Sequence, residues 1–520
     1  MPYASRMAGE PGDGLAALPW RGEYFAWIGT ALPLPTSPAC GGGAFSRPVY
    51  GEGRGGERHI PEPPGNRSFA ARLERGWRSF PLAGFLWACL ACPVQAADFQ
   101  AGPEDYRAYL SRLAPGDRLL LRGGEYGRGL PLHNLEGRAD APIVIEGPRD
   151  GPGARFIARP GANTVSLANV RHVILRHLEL DGRNLPVDAV KAEGHARYAH
   201  HVTLENLHIH DHAASQQSVG ISSKCPAFGW VVRGNRIERV GTGMYFGDSD
   251  GSDPFVAGLI ENNHVSDTLG YSLQIKHQKS RPADLPEAEA RHDTIIRRNV
   301  FAKESRTPTP PGGQTNARPN VLVGHFPVAG PGSEDRYLIH ANLFWQNPGE
   351  ALFQGEGNLA LYNNVFVNRH GPAVRIQPHN DIPRQVEVFH NTVLARGEGV
   401  ALRQREGAPE FSQRVVGNIV FAARPLLGGE QGDNVTGGLD AAERHLAKPH
   451  AELAGLDLSP RARLPKMAGR PPQAGAMHPD SQVDIDGRPR ATPFPGACAP
   501  DGPSPCPRPI AGGSGAINAQ

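Results

Sequence analysis

Three aspartates fall within six positions of GMYFGDSDGSDPF (243–255): Asp248, Asp250 and Asp253. Carboxylates in this acid–x–acid–Gly–x–acid pattern fit a calcium loop, the acidic edge of a catalytic site, or a solvated turn in which Asp and Gly serve the backbone. Three other short runs end in groups able to move protons or hold anions. ISSKC carries Lys224, LQIKH carries Lys276 and His277, and VLVGH carries His325. Lysine and histidine act as general acids or bases once burial or neighbouring charge brings their pKa toward the working pH. HIHDH (208–212) invites a zinc reading through His208, His210 and His212, but the pattern alone fixes no fourth ligand. What these residues can do depends on the elements that hold them.

Those elements are repeats. VTLENLHIHDH (202), WVVRGNRIERV (230), GLIENNHVSDT (258), TIIRRNVFAKE (294), YLIHANLFWQN (337), LALYNNVFVNR (359), VEVFHNTVLAR (386) and RVVGNIVFAA (414) share one plan, and VILRHLELDG (173) begins the series. Each is a short β-branched run, then usually asparagine, then a second short apolar alternation, which reads as strands joined by a tight bend. One column is asparagine seven times: Asn235, Asn263, Asn299, Asn342, Asn364, Asn391 and Asn418. A repeat of roughly 22 to 28 residues suits three short strands and three turns per coil. The longer intervals leave room for insertions such as QKSRPADLPEAEARH and KESRTPTPPGGQTNARPN. Stacked amides at one bend would hydrogen-bond the coils above and below, satisfying backbone groups that strand pairing leaves open.

This pattern resembles the right-handed parallel β-helix of the pectate-lyase-like superfamily over about residues 98 to 497. YRAYLSRLAPGDRLLLRGGEYGRGLPL and APIVIEGP (141–148) resemble the opening of the branch that contains alginate lyases and chondroitin-cleaving lyases. DIDGRPRATPFPGA (484–497) resembles a closing motif of bacterial β-helix proteins. The expected fold is therefore all-β, a parallel β-helix solenoid with a helical cap around Asp105 to Leu113. The region after about residue 425 is expected to cover the other end.

A second strand follows about ten residues beyond each asparagine, and these strands align as ISSKC, MYFGD, LQIKH, VLVGH, ALFQG, VRIQP and ALRQR. Strand side chains alternate between faces. One outward column then reads Ser222, Tyr245, Gln274, Leu322, Leu352, Arg375 and Ala401, and the next includes Lys224, Gly247, Lys276, Gln354, Gln377 and Arg403. Lys224, Asp248, Lys276, His277 and His325 would share four neighbouring coils of one face, a groove for an acidic sugar chain or simply a solvated sheet surface. The resemblance implies β-elimination on a uronate polymer. On that basis Lys276 is expected as base and His277 or His325 as proton donor, with Lys224, Tyr245, Gln274, Arg375 and Arg403 contacting substrate. Asp248, Asp250 and Asp253 are the expected calcium ligands, with Ca²⁺ as the cofactor. A polysaccharide-binding protein without activity, a glycoside hydrolase and an epimerase are the alternatives on the same fold.

The rest of the chain bounds this reading. A formal charge of +2 with 20% charged residues leaves no basic footprint for nucleic acid; the partner that the resemblance implies is a polysaccharide, and the protein is expected to be a monomer. RLERGWRSFPLAGFLWACLACPVQAA (72–97) has Arg72, Arg75 and Arg78 ahead of an apolar run. That run is about fifteen residues, too short to span a bilayer, and it ends in the small residues of a signal-peptide cut after Ala96. Residues 72–96 are thus expected to direct export to the periplasm or beyond, and 1–71 to be a disordered or over-extended leader. Residues 97–498 would form the β-helix with its closing region, and 499–520 a Pro- and Gly-rich tail. In an oxidising compartment Cys498 and Cys506 are placed to pair, leaving Cys225 as a buried thiol.

Overall fold

The computed structural model describes residues 96–303 and 317–461, together with 467, 478–490, 494–500, 502 and 505–508. The expected leader 1–71 and nearly all of the signal segment 72–96 lie outside the described residues, as does most of the tail. Among the described residues no helix is long and apolar enough to cross a membrane.

The chain winds into a parallel β-helix whose coils stack three parallel strand ladders, here numbered sheets 1 to 3, the second and third of which merge through one long strand. Sheet 1 runs from Asp98–Ala101 through strands such as Val231–Arg233 and Leu259–Glu261 to Glu430–Gly432. Sheet 2 includes Leu178–Asp181, His208–His212, Arg236–Val240 and His264–Ser266. Sheet 3 includes Val219–Ser223, Thr242–Phe246, Leu273–Ile275, Val321–Val323, Phe353–Gly355 and Val374–Ile376. Thr392–Leu402 is long enough to belong to both sheets 2 and 3, and pairs with Val365–Asn368 and with Val374–Ile376. At the amino-terminal end, Arg107–Leu110 makes a single helical turn whose Leu110 is buried beside Tyr106 and Leu113.

The bend between sheets 1 and 2 explains the repeated asparagine. The residue before it sits in the left-handed region at each rung, Gly234, Asn262, Arg298, Ala341, Asn363, His390, Gly417 and Asp433, and Asn206 does the same at the bend before Leu207. Only glycine and, less easily, Asn or Asp adopt that conformation without strain. Arg298, Ala341 and His390 are therefore held there by the amide ladder that begins at the next residue. Each of Asn235, Asn263, Asn299, Asn342, Asn364, Asn391 and Asn418 donates from Nδ2 to the Oδ1 of the next rung at 2.9–3.0 Å. The same oxygen takes the backbone N–H at a similar distance. Asn434 is an eighth rung. A second, shorter ladder joins Asn320, Asn347 and Asn368.

Inside, identical positions stack into columns. Ile209, Ile237, Val265, Phe301, Phe344, Phe366, Val393 and Val420 follow one another in register along sheet 2, all fully buried. The outer face of sheet 2 differs between its halves. Toward the carboxyl end it is apolar, with Leu343, Trp345, Val365, Val367 and Phe421 packed against Ala442, Leu446, Leu458 and Ala497. The region after residue 437 therefore lies along the side of the helix, which corrects its expected place over the end. Cys498 and Cys506 are disulfide-bonded there, and Cys225 is a buried free thiol, its pKa pushed up to about 12 by burial.

Candidate functional site

The outer face of sheet 3 carries the column Ser222, Tyr245, Gln274, Leu322, Gln354 and Arg375. Gln354 stands where the sequence alignment placed Leu352, because Val321 pairs with Phe353 and not with Ala351. Leu352 is fully buried. The two-residue slip arises from reading ALF as the apolar start of a strand, when its alanine and leucine complete the preceding turn.

Lys224 and Lys276 lie two residues beyond Ser222 and Gln274, on alternate coils, with Gly247 between them. Gly247 has φ +86°, and a Cβ there would sit 3.3 Å from Lys276 Cβ, so the coil between the lysines carries no side chain. Lys224 Nζ lies 3.4 Å from the centroid of the Tyr245 ring and donates to the Gly247 carbonyl at 3.3 Å. Burial, assisted by Lys191 and Lys276, lowers its pKa to about 8 against the pull of Asp248 and Asp188. Burial also lowers Lys276, opposed by Glu356 and Asp248. Burial raises the Tyr245 hydroxyl, which is 3.2 Å from Ser249 Oγ. Gln274 is buried and Ser222 is fully so, the latter bonded to Asp188.

The two histidines are neighbours, with ring centroids 5.3 Å apart, and their tautomers differ. His325 Nδ1 is 2.7 Å from the Phe326 carbonyl. A carbonyl only accepts, so Nδ1 carries a proton, and in the neutral ring Nε2 has the lone pair. His277 Nδ1 instead accepts from Asn380 Nδ2 at 2.6 Å, and the backbone of Asp250 bonds the ring as well. Burial first, then Lys276 and His325, lower His277 to about 4. With both sides of its ring occupied, His277 pins the Asp248–Asp253 loop to the sheet. Gly251, at φ +83°, passes so close that a Cβ would lie 2.8 Å from His277 Nε2.

A residue that sequence reasoning missed organises this end of the face. Glu356 is 1% exposed. Its Oε2 accepts the backbone N–H groups of His379, Asn380 and Asp381 at 2.8–2.9 Å, and its Oε1 takes His325 N at 3.3 Å. Glu356 thereby sets both Asn380, which orients His277, and the backbone of His325. It lies two residues beyond Gln354, so correct register would have placed it in the Lys224–Lys276 column.

The three aspartates expected as calcium ligands do not converge as a trio of carboxylates. Asp248 N bonds the Asp253 carbonyl at 3.0 Å, Asp250 Oδ1 accepts from Ser252 N at 2.9 Å, and Asp250 Oδ2 pairs with Lys279 at 3.2 Å. Burial, with Asp248 and Asp250 nearby, raises Asp253. Among the described residues, the trios of potential ligands that converge are Glu179–His208–His210, Asp181–His210–Asp211 and Asp484–Asp486–Cys506. None includes the loop aspartates, and of their carboxylates that of Asp250 already serves the turn and Lys279, so no step is routed through calcium there. Arg375 and Arg403 are also committed: both pair with Glu398, 2% exposed, Arg375 at 3.2 Å. Arg375 reaches Glu350 at 2.8 Å and Arg424 reaches Glu398 at 3.0 Å.

No family model matches the chain, and no curated protein matches it. Among solved structures it is similar to a glycoside hydrolase family 136 lacto-N-biosidase from Eubacterium ramulus, at 14% identity and TM-score 0.45 over 66% of this chain and 68% of the other. It is also similar to a polysaccharide lyase family 6 alginate lyase, AlyGC, at 12% identity and TM-score 0.41. That match spans 65% of this chain and about half, 51%, of the lyase. A third is the A-module of the Azotobacter vinelandii mannuronan C-5 epimerase AlgE6, at 15% identity and TM-score 0.40 over 64% and 88% of the two chains.

Proposed function

We propose that the protein is a carbohydrate-active enzyme whose sheet 3 groove binds an acidic, uronate-containing polysaccharide and cleaves it by β-elimination. The observation that carries this reading is the pair Lys224 and Lys276. Both are part-buried cations with lowered pKa, and among the described residues neither forms an ion pair. A desolvated cation without a carboxylate partner is a standing cost, and an anionic sugar laid across Gly247 and Tyr245 would relieve it.

In this reading the acid and base roles expected from sequence are exchanged. His325 Nε2 would take the C5 proton, while Lys224 and Gln274 stabilise the charge that grows on the carboxylate. The C4–O bond breaks as the C4–C5 double bond forms, and the Lys276 ammonium gives its proton to the leaving oxygen. His277, Asn380 and Glu356 then act as positioning residues, and Arg375 and Arg403 as a structural cluster beside the groove. Export belongs to the same reading and is supported by the Cys498–Cys506 disulfide. The helical turn Arg107–Leu110 would cap the amino-terminal end.

The test is ultraviolet absorbance at the unsaturated uronate, measured on alginate, pectate and glycosaminoglycans. Turnover lost in both His325→Ala and Lys276→Ala is the expected result. No absorbance rise on any polymer would defeat the lyase reading. Activity that survives Lys276→Ala would remove that residue from the mechanism.

A further inference from the structure

The amino-terminal half of sheet 2 bears a second cluster, about which the sheet 3 groove says nothing. His208 and His210 alternate on one strand and project from the same face. His212 does not, because Asp211 adopts φ +57° and breaks the alternation; His212 is fully buried and bonds the Val187 carbonyl. The third ligand comes from the neighbouring coil. Glu179 is the register partner of His208, and its Oε1 lies 3.1 Å from His210 Nε2. The ligand atoms of Glu179, His208 and His210 all lie within 4.8 Å of one another.

The surroundings fit a metal centre in a second, independent way. Histidines that bind metals usually have their other ring nitrogen held by a carboxylate, which fixes the tautomer and raises the basicity of the ligating atom. His210 Nδ1 is 2.7 Å from Asp211 Oδ2, leaving Nε2 toward Glu179. His208 Nε2 is 3.0 Å from Glu238 Oε1, leaving Nδ1. These outer carboxylates are anchored in turn: Arg239 reaches Asp211 at 2.7 Å and Glu238 at 3.1 Å, and Arg236 reaches Glu238 at 2.7 Å. Arg155 holds Glu179 Oε1 at 3.1 Å. Glu179 and His208 also line an open cavity of about 840 Å³ with His177, Glu205 and Asn206, room for water or a substrate oxygen in a fourth position.

We propose that Glu179, His208 and His210 form a three-ligand, open site for a divalent transition metal of the zinc class, oriented by Asp211 and Glu238. Two imidazoles and one carboxylate are a nitrogen-rich donor set that suits zinc, cobalt or nickel over calcium or magnesium. The test uses the full chain, stripped with chelator and dialysed against ZnCl₂, or against CoCl₂ for its visible spectrum. One equivalent of metal per chain is expected, with a cobalt spectrum of low coordination number. His208→Ala and Glu179→Gln should abolish both, and His450→Ala should change neither. Asp211→Asn should weaken affinity about 10–100-fold. His208 is part-exposed, so its variant keeps the test valid should His210→Ala fail to fold. Sub-stoichiometric uptake by the wild type, or uptake unchanged in His208→Ala and Glu179→Gln, would overturn the proposal.

Discussion

Lys224 should destabilise the protein it serves. Its pKa falls from 10.5 to about 8, chiefly through burial. At 1.36 kcal/mol per pKa unit, holding the ammonium in place costs about 3 kcal/mol at pH 7. Lys224→Met keeps the length and apolar stem and removes the charge, so the variant should be more stable than wild type by about 2–3 kcal/mol at pH 7. The sign of the pH dependence is set by proton binding. Between pH 8 and 10.5 the unfolded chain keeps this proton and the folded one has lost it, so wild-type stability rises with pH there. The advantage of the variant should shrink by about 1.4 kcal/mol per pH unit above pH 8 and vanish near 10.5. Urea denaturation of both proteins at pH 7, 9 and 10.5 measures it, with the exposed Lys279→Met as a control expected to show no such convergence. A variant less stable at pH 7, or an advantage that stays flat to pH 10.5, would refute the reasoning. The same substitution should abolish retention on an immobilised polyuronate, since stability is held below its attainable value at functional groups.

Two further outcomes concern the frame. His340 is fully buried, neither ring nitrogen has a partner among the described residues, and burial lowers its pKa to about 3. Below pH 6.5 only the unfolded chain takes up this proton, so stability should fall by about 1.4 kcal/mol per pH unit from this residue. His340→Phe, which preserves the stack on Tyr362, should flatten the slope of Tm between pH 7 and 5; an unchanged slope would count against it. Asn342→Ala removes four ladder bonds and should cost about 4 kcal/mol at roughly 1 kcal/mol each. Asn434→Ala, at the part-exposed terminal rung, removes three such bonds and should cost at most about 3 kcal/mol in the same urea titration. Equal losses would mean that the ladder does not act as a cooperative stack.

The frame was legible because its signal repeats. Seven asparagines with the same apolar neighbours encode a corner that the backbone must form in the same way at every coil, and repetition makes the shared physics visible. Asn434 escaped notice because its coil is shortened to Glu430–Gly432 and Val435–Gly437. The Asn320–Asn347–Asn368 ladder escaped because it spans three coils and falls beside an insertion. Register along sheet 3 was legible wherever both flanking strands alternate cleanly. It slipped at ALFQG, where two apolar residues end a turn, and that slip concealed Glu356. The carboxyl-terminal region was misplaced for a related reason. Its apolar residues require a partner, but only the outward Leu343, Trp345 and Val367 show that the partner is the side of sheet 2.

Charges were harder to assign than strands because alternation places a side chain on a face without choosing its partner. Arg375 and Arg403 read as free cations on an outward column, yet Glu398, on the long strand Thr392–Leu402, lies within reach of both. Lys224 and Lys276 read the same way and, among the described residues, form no direct ion pair, feeling Asp248 and, for Lys276, Glu356 only from farther off. The difference lies in the coil between or beside each pair. Where that coil offers glutamate the cations become structure; where it offers Gly247 they keep an unspent charge beside Tyr245. A glycine in an outward column between two lysines is therefore the feature that separates the candidate groove from the ordinary charged surface around it. Gly247→Glu tests this directly. Its φ of +86° adds strain, so Gly247→Asn serves as the strain control. The carboxylate variant alone should raise the pKa of Lys224 and lose affinity for an anionic polymer. If Gly247→Asn loses binding equally, the site depends on the open backbone and not on the unpaired charge.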